Sequence, residues 1–149
     1  MTAKNSKVNT GKDTKLLVDR WGADVIAEGW SGVPSILFRF QRRLGLNNNH
    51  VVILLHLLDH WIGANGEIRP EVKTLAKRMD MSVSRTRFLI SELENLGFLK
   101  REDRYENKKQ LANRYHLNGL VEKLKAFGPE LKDARDFKAR QEARKNPRA

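Results

Sequence analysis

Two arginines, Arg85 and Arg87, stand two apart near the start of the segment MSVSRTRFLISELENLGFLK, residues 81–100. Short polar side chains surround them: Ser82, Ser84 and Ser91, with Phe88 as the apolar exception. A guanidinium makes paired hydrogen bonds to a guanine edge or to phosphate, a serine reaches a base or a phosphate, and a ring contacts a thymine methyl. The chemistry offered is recognition of a polyanion. Whether it is used depends on the elements that hold these residues.

A second constellation lies upstream in HLLDH, residues 56–60, where His56, Asp59 and His60 share one side of a helix. Histidines one turn apart can hold zinc, and the run resembles a zinc-protease signature with Asp in place of Glu. No third ligand lies near in sequence, so an Asp–His pair or a surface stripe is the simpler reading. His50 and His116 have no catalytic partner in view. No Gly-rich phosphate loop occurs, and no serine or tyrosine has a positioned base or metal cluster. The expectation is a protein with no enzymatic activity, no cofactor, no metal and no small-molecule ligand.

Stepping outward along the chain, the serine–arginine segment reads as one helix over residues 83–96, with Ser82 as its cap and Gly97 just past its end. At about 100° per residue, Thr86, Leu89, Ile90 and Leu93 form a buried side, while Ser84, Phe88 and Ser91 lie opposite with Arg85 and Arg87 flanking them. Glu92 and Glu94 come later, away from the exposed start. The preceding segment PEVKTLAKRMD reads as a helix with Val72, Leu75, Ala76 and Met79 inward. Downstream, FLKRED and QLANRYHL alternate as two strands joined by the basic loop RYENKK. Tyr115 and Leu117 are expected to face inward.

The remaining elements support this group. NNNHVVILLHLLDHWIG is the strongest helix, capped by Asn and stopped by Gly63, with Val51, Leu54, Leu55, Leu58, Trp61 and Ile62 as its inner face. ANGEIRP is a turn with a very short strand at Ile68. DTKLLVDRW reads as a short helix, DVIAEGWSGVP as irregular or extended chain, and PSILFRFQRRLG as a helix ending at Gly45. NGLVEKLKAFG is a short amphipathic helix carrying Leu120, Leu124 and Phe127. The segment after Pro129 has helical composition but few apolar residues. These divisions give a disordered basic N-terminus at 1–12, a helical extension at 13–46, a main domain at 47–127 and a basic helix or tail at 128–149.

The order helix, short strand, helix, corner, helix, two-stranded ribbon is that of a winged helix-turn-helix. TLAKRMDMSVSRTRFLISELENLGFLKR resembles the pattern in which LA on the first helix packs against the second and L-x-x-L-G leads into the first wing strand. NRYHLNGL resembles the returning wing strand of helix-turn-helix proteins encoded on plasmids, phages and other mobile elements, several of which are replication or regulatory proteins. EGWSGVPSILFRFQRRLGLNNNHVVILLHLLDHW is similar to their leader helices. The resemblance spans residues 28–127. It implies a mainly α fold with a small β-wing, an N-terminal helical extension and a C-terminal helix or tail.

Charge agrees with a nucleic-acid partner. The 149-residue chain has a formal net charge of +11, and residues 16–68 contribute none of the excess, holding four basic and five acidic side chains. Residues 69–117 hold twelve basic against seven acidic, and the two ends are also basic. Such a surface attracts polyanions. Cysteine is absent, excluding disulfides and thiolate metal sites. No apolar run suits a signal peptide or a membrane span, so a cytoplasmic protein that does not engage a membrane is expected.

The reading is therefore sequence-specific binding of double-stranded DNA, as a transcriptional regulator, with helix 83–96 in the major groove. Base contacts fall to Arg85, Arg87, Phe88 and the serines. Phosphate contacts fall to Arg69, Lys73 and Thr74 at the start of the preceding helix and to Lys100, Arg101, Arg104, Lys108, Lys109 and Arg114 on the ribbon, with Lys108 and Lys109 at the tip favoured. The alternatives are a plasmid or phage replication initiator binding origin repeats, or a protein-interaction scaffold using the basic surface. A homodimer would pair through the leader helices and the segment after Leu120.

Overall fold

The computed structural model describes residues 10–61 and 66–146. Of the disorder expected over residues 1–12, the part up to residue 9 lies outside these residues, as do the inward placing of Ile62 and the stop at Gly63, whereas residues 10–12 are helical. Helix α1 (Thr10–Trp21) begins three residues earlier than expected and ends at Gly22, whose φ of 91° is open to glycine and turns the chain into α2 (Ala23–Ala27). That five-residue helix replaces part of the irregular chain expected there. Only four residues, Ile36–Arg39, are regular in α3, and turns follow as far as Gly45 at φ 75°.

Helix α4 (Asn48–Trp61) forms the centre, with Ile53, Leu54 and Leu57 fully buried. Its start is locked by a reciprocal pair: Asn47 Oδ1 accepts the His50 N–H at 2.8 Å, and His50 Nδ1 accepts the Asn47 N–H at 3.1 Å. This is a capping box with histidine in the usual glutamate position. The buried side of α4 runs through Ile53 and Leu57, while Leu55 is half-buried and Trp61 lies on the exposed rim, so the inward face expected for Leu55 and Trp61 is rotated. An apolar helix offers several such faces, and the packing of its neighbours chooses among them.

Helix α5 (Val72–Arg78) turns into α6 (Val83–Asn95) through a tight corner. Asp80, at φ 50°, takes the left-handed position in which the Met81 N–H returns to the Ala76 carbonyl at 2.9 Å. Ser82 then caps α6, its hydroxyl accepting the Arg85 N–H at 3.0 Å. Thr86, Leu89, Ile90 and Leu93 are the buried residues of α6. At its end Gly97 (φ 81°) completes a Schellman motif, with Gly97 N–H to Glu94 O at 3.0 Å and Phe98 N–H to Leu93 O at 2.9 Å.

Strands β1 (Lys100–Glu106) and β2 (Lys109–His116) pair antiparallel, from Lys100 opposite His116 to Glu106 opposite Lys109. They run further than expected. The connection is only Asn107–Lys108, both at positive φ, which matches the twist of a hairpin. Ile68 bridges Tyr115 at the edge, as the very short strand expected there requires. Helix α7 (Asn118–Lys125) packs Leu120 and Leu124 into the core, and α8 (Gly128–Lys145) leaves no residue buried. The whole is mainly helical with one small antiparallel sheet. Leu75, Leu89, Leu93 and Phe98 join α4 in a single apolar cluster, each such side chain contributing about 1.5–3 kcal/mol of burial. No helix of the described residues is long and apolar enough to cross a membrane.

Candidate nucleic-acid interface

Packing of Leu89, Ile90 and Leu93 against α4 and α5 fixes the rotation of α6, and that rotation decides what its other side presents. Ser84, Arg85, Arg87 and Phe88 are exposed, Phe88 by 54%, while Ser91 is half-buried. The Arg85 guanidinium sits 5.5 Å above the Phe88 ring, an attraction that partly orders both side chains. Ser82 is exposed, but its hydroxyl is committed to the cap. Lys73 and Thr74 are exposed on α5, and Lys108 and Lys109 at the hairpin tip.

Ion pairing divides the cations of this half of the molecule into two sets. Arg101 grips Glu94 through Nη2 at 3.1 Å and its backbone N–H at 2.7 Å, tying the end of α6 to the first strand. The side-chain hydrogen bond from Arg101 holds the Glu94 carboxyl below the usual carboxylate range. Arg114 lies between Glu67 at 3.1 Å and Glu102 at 3.6 Å, and Arg69 pairs with Glu67 at 3.3 Å. His116 Nε2 donates to Glu102 at 2.7 Å, which holds that carboxyl below the usual carboxylate range too. Arg114, expected to contact phosphate, is thus half-buried and engaged by two carboxylates.

The second set is unengaged. Among the described residues, Lys73, Lys77, Arg78, Arg85, Arg87, Lys100, Arg104, Lys108 and Lys109 make no ion pair, Arg104 donating instead to the Ala112 carbonyl at 3.3 Å. Six basic residues against two acidic fall between positions 69 and 91. Tyr115 is buried, and burial raises its hydroxyl above the ordinary phenol value. On the hairpin Glu102 is taken up by Arg114 and His116, while Asp103 and Glu106 are exposed and make no ion pair, Glu106 lying opposite Lys109 in register.

Sequence reasoning missed several participants. Gln110, Leu111, Ala112 and Asn113 of β2 face Lys73 and Arg87 across an open groove, and nothing in a polar strand segment signals this. The Glu94–Arg101 link spans seven residues and two elements. On α4 the HLLDH residues do not converge: His60 Nδ1 lies 2.9 Å from the His56 carbonyl, and Asp59 accepts the hydroxyl of Ser31. Among the described residues no three His, Asp or Glu side chains lie close enough to hold a metal ion.

The model of the DnaD N-terminal domain family matches residues 33–134. The fold is similar to that of the crystal structure of the N-terminal domain of DnaD protein from Geobacillus kaustophilus HTA426, with a TM-score of 0.54 at 24% sequence identity, covering 77% of this chain and 93% of that one. No curated protein matches the chain.

Proposed function

Because the chain belongs to the DnaD N-terminal domain family, we propose that it is a double-stranded-DNA-binding protein of replication initiation, built on a winged helix-turn-helix. The family is a replication and primosomal one, which favours the initiator alternative over transcriptional regulation and lends no support to an origin on mobile elements. Helix α6 enters the major groove by its exposed start, and the hairpin tip lies along the neighbouring backbone. The observation that carries this reading is the sorting of cations. Those facing a docked duplex lack internal partners, whereas Arg69, Arg101 and Arg114 are consumed within the protein.

Titrating the chain against duplexes at several salt concentrations tests the proposal. Each neutralised phosphate adds about 0.9 to the steepness of log K against log[salt], so contacts by Lys73, Arg87, Lys108 and Lys109 predict a slope of about −3 to −4. A slope near zero, or no binding to any duplex, would sink it. The scaffold alternative predicts that outcome together with binding to an acidic protein.

Self-association falls to the N-terminal segment. Leu16, Trp21, Val25, Trp30 and Phe38 are all exposed there, more apolar surface than scattered single residues supply. Trp21→Ser is expected to shift the chain toward monomer in analytical ultracentrifugation. An unchanged sedimentation coefficient across a concentration series, in parent and variant alike, would remove the dimer.

A further inference from the structure

Between the start of α5, the outer side of α6 and strand β2 runs an open groove of about 550 Å3. Lys73 and Arg87 line it from the two helices, and Gln110 and Asn113 line it from the hairpin. A space of this size suits a sugar-phosphate unit. Both cations lack an intramolecular carboxylate among the described residues. Of the nearby acids, only Glu71 lines the groove, while Glu67 and Glu102 are turned onto Arg69, Arg114 and His116.

The hairpin side of the groove carries an amide. Asn113 Oδ1 is buried and has no hydrogen-bond partner. Such orphans are uncommon in folded proteins and call for a role. That oxygen is an acceptor turned into the protein, which an anion does not satisfy; the NH2 of the same groove-lining amide is the neutral donor matched to a phosphate oxygen.

We propose that this groove is a phosphodiester clamp, in which Lys73 and Arg87 neutralise one phosphate group and the Asn113 and Gln110 amides donate to it. The proposal rests on the DNA-binding reading and refines it, because it separates two arginines that look equivalent in sequence. Positions 85 and 87 are about 200° apart around a helix. Arg85 stacks on Phe88 outside the groove, whereas Arg87 lines it. Arg87 therefore holds backbone, and base reading falls to Arg85. The same chemistry would accept a free phosphate, so the test separates the two sources.

Arg87→Ala and Lys73→Ala are expected to weaken every duplex by one common factor, and each to flatten the salt slope by about 0.9. Both side chains are exposed, so the variants are expected to fold, which circular dichroism checks. An Arg87→Ala chain whose affinity ratio between two duplexes of unlike sequence changes, or whose salt slope stays at the parent value, overturns the assignment. The Asn113 side-chain amide, followed by 15N–1H NMR, is the second readout. It shifts in the parent on adding a short duplex and stays fixed in the Lys73→Ala/Arg87→Ala double variant. A shift with duplex but not with pyrophosphate assigns the clamp to the DNA backbone, and a shift with both shows that it also takes free phosphate. No shift with either refutes it. A chain that binds no duplex removes the proposed function, while the pyrophosphate arm still decides the groove.

Discussion

Gly119→Ala is expected to destabilise the fold by about 3 kcal/mol, the upper part of the range for an overpacked site, lowering the melting temperature by about 6–12 °C. By helix propensity alone the change should help, since alanine is favoured over glycine inside a helix by about 1 kcal/mol. Packing reverses the sign. A Cβ at Gly119 would lie 2.0 Å from the Gly97 carbonyl oxygen, 2.9 Å from its carbon and 3.1 Å from the Phe98 carbonyl carbon. None of these atoms yields easily. Gly97 and Phe98 are held by the Schellman bonds that end α6, and the Phe98 carbonyl accepts the Leu120 N–H at 2.9 Å. Gly119 is thus the point where α7 presses onto the root of the hairpin. Gly128→Ala is the control: its Cβ meets nothing within 4 Å, so it should leave stability unchanged or slightly raised. Thermal unfolding that ranks the two variants together would show that α7 does not sit against residues 97–98.

The contrast between those glycines indicates what a sequence encodes legibly. Ser82 as cap, Gly97 as stop and the Thr86–Leu89–Ile90–Leu93 side of α6 obey rules confined to one helix, and all three stand in the structure as expected. The Ile68 bridge was also readable, as an isolated apolar residue between turn signals. Choices settled between elements were not. Nothing local distinguishes Ile53 and Leu57 from Leu55 and Trp61, because α4 is apolar nearly all round. The hairpin turn at Asn107–Lys108 lacks the glycine that usually marks it, so its strands run longer than the pattern suggested. Helix α8 has too few apolar residues to predict docking. Its start is nonetheless held by Arg43, which pairs with Glu130 at 2.7 and 3.0 Å and lies 4.9 Å from the rings of Phe40 and Phe127.

The candidate site divides along the same line. That α6 would expose Arg85, Arg87 and Phe88 followed from helical geometry applied to one buried stripe. Which cations remain available did not, because availability is a matter of where carboxylates from other elements end up. Glu67 precedes α5 and Glu102 belongs to β1, yet both converge on Arg114 from β2. Asn113 and Gln110, neutral residues in a strand, acquire meaning only once β2 lies across from Lys73 and Arg87.

Arg85→Ala should therefore differ in kind from the loss of any phosphate contact. At the preferred duplex it is expected to cost about 1–3 kcal/mol, roughly 5- to 150-fold in Kd, with a much smaller loss on unrelated duplexes. The guanidinium is exposed at the start of α6, and its stacking on Phe88 restrains it before any contact forms. A restrained fork loses less entropy on pairing with a base edge, and the geometry that favours one edge disfavours the others. Phe88→Ala should reproduce part of the effect by releasing that restraint. Lys109→Ala, at the hairpin tip, should instead weaken all duplexes alike and flatten the salt slope. Selecting preferred duplexes from a random pool with the parent, then measuring the three variants on selected and scrambled duplexes, gives the comparison. Discrimination left intact by Arg85→Ala would place specificity elsewhere than α6. In that case the exposed start of the helix would be one more contributor to charge, and recognition would have to come from the shape and deformability of the duplex.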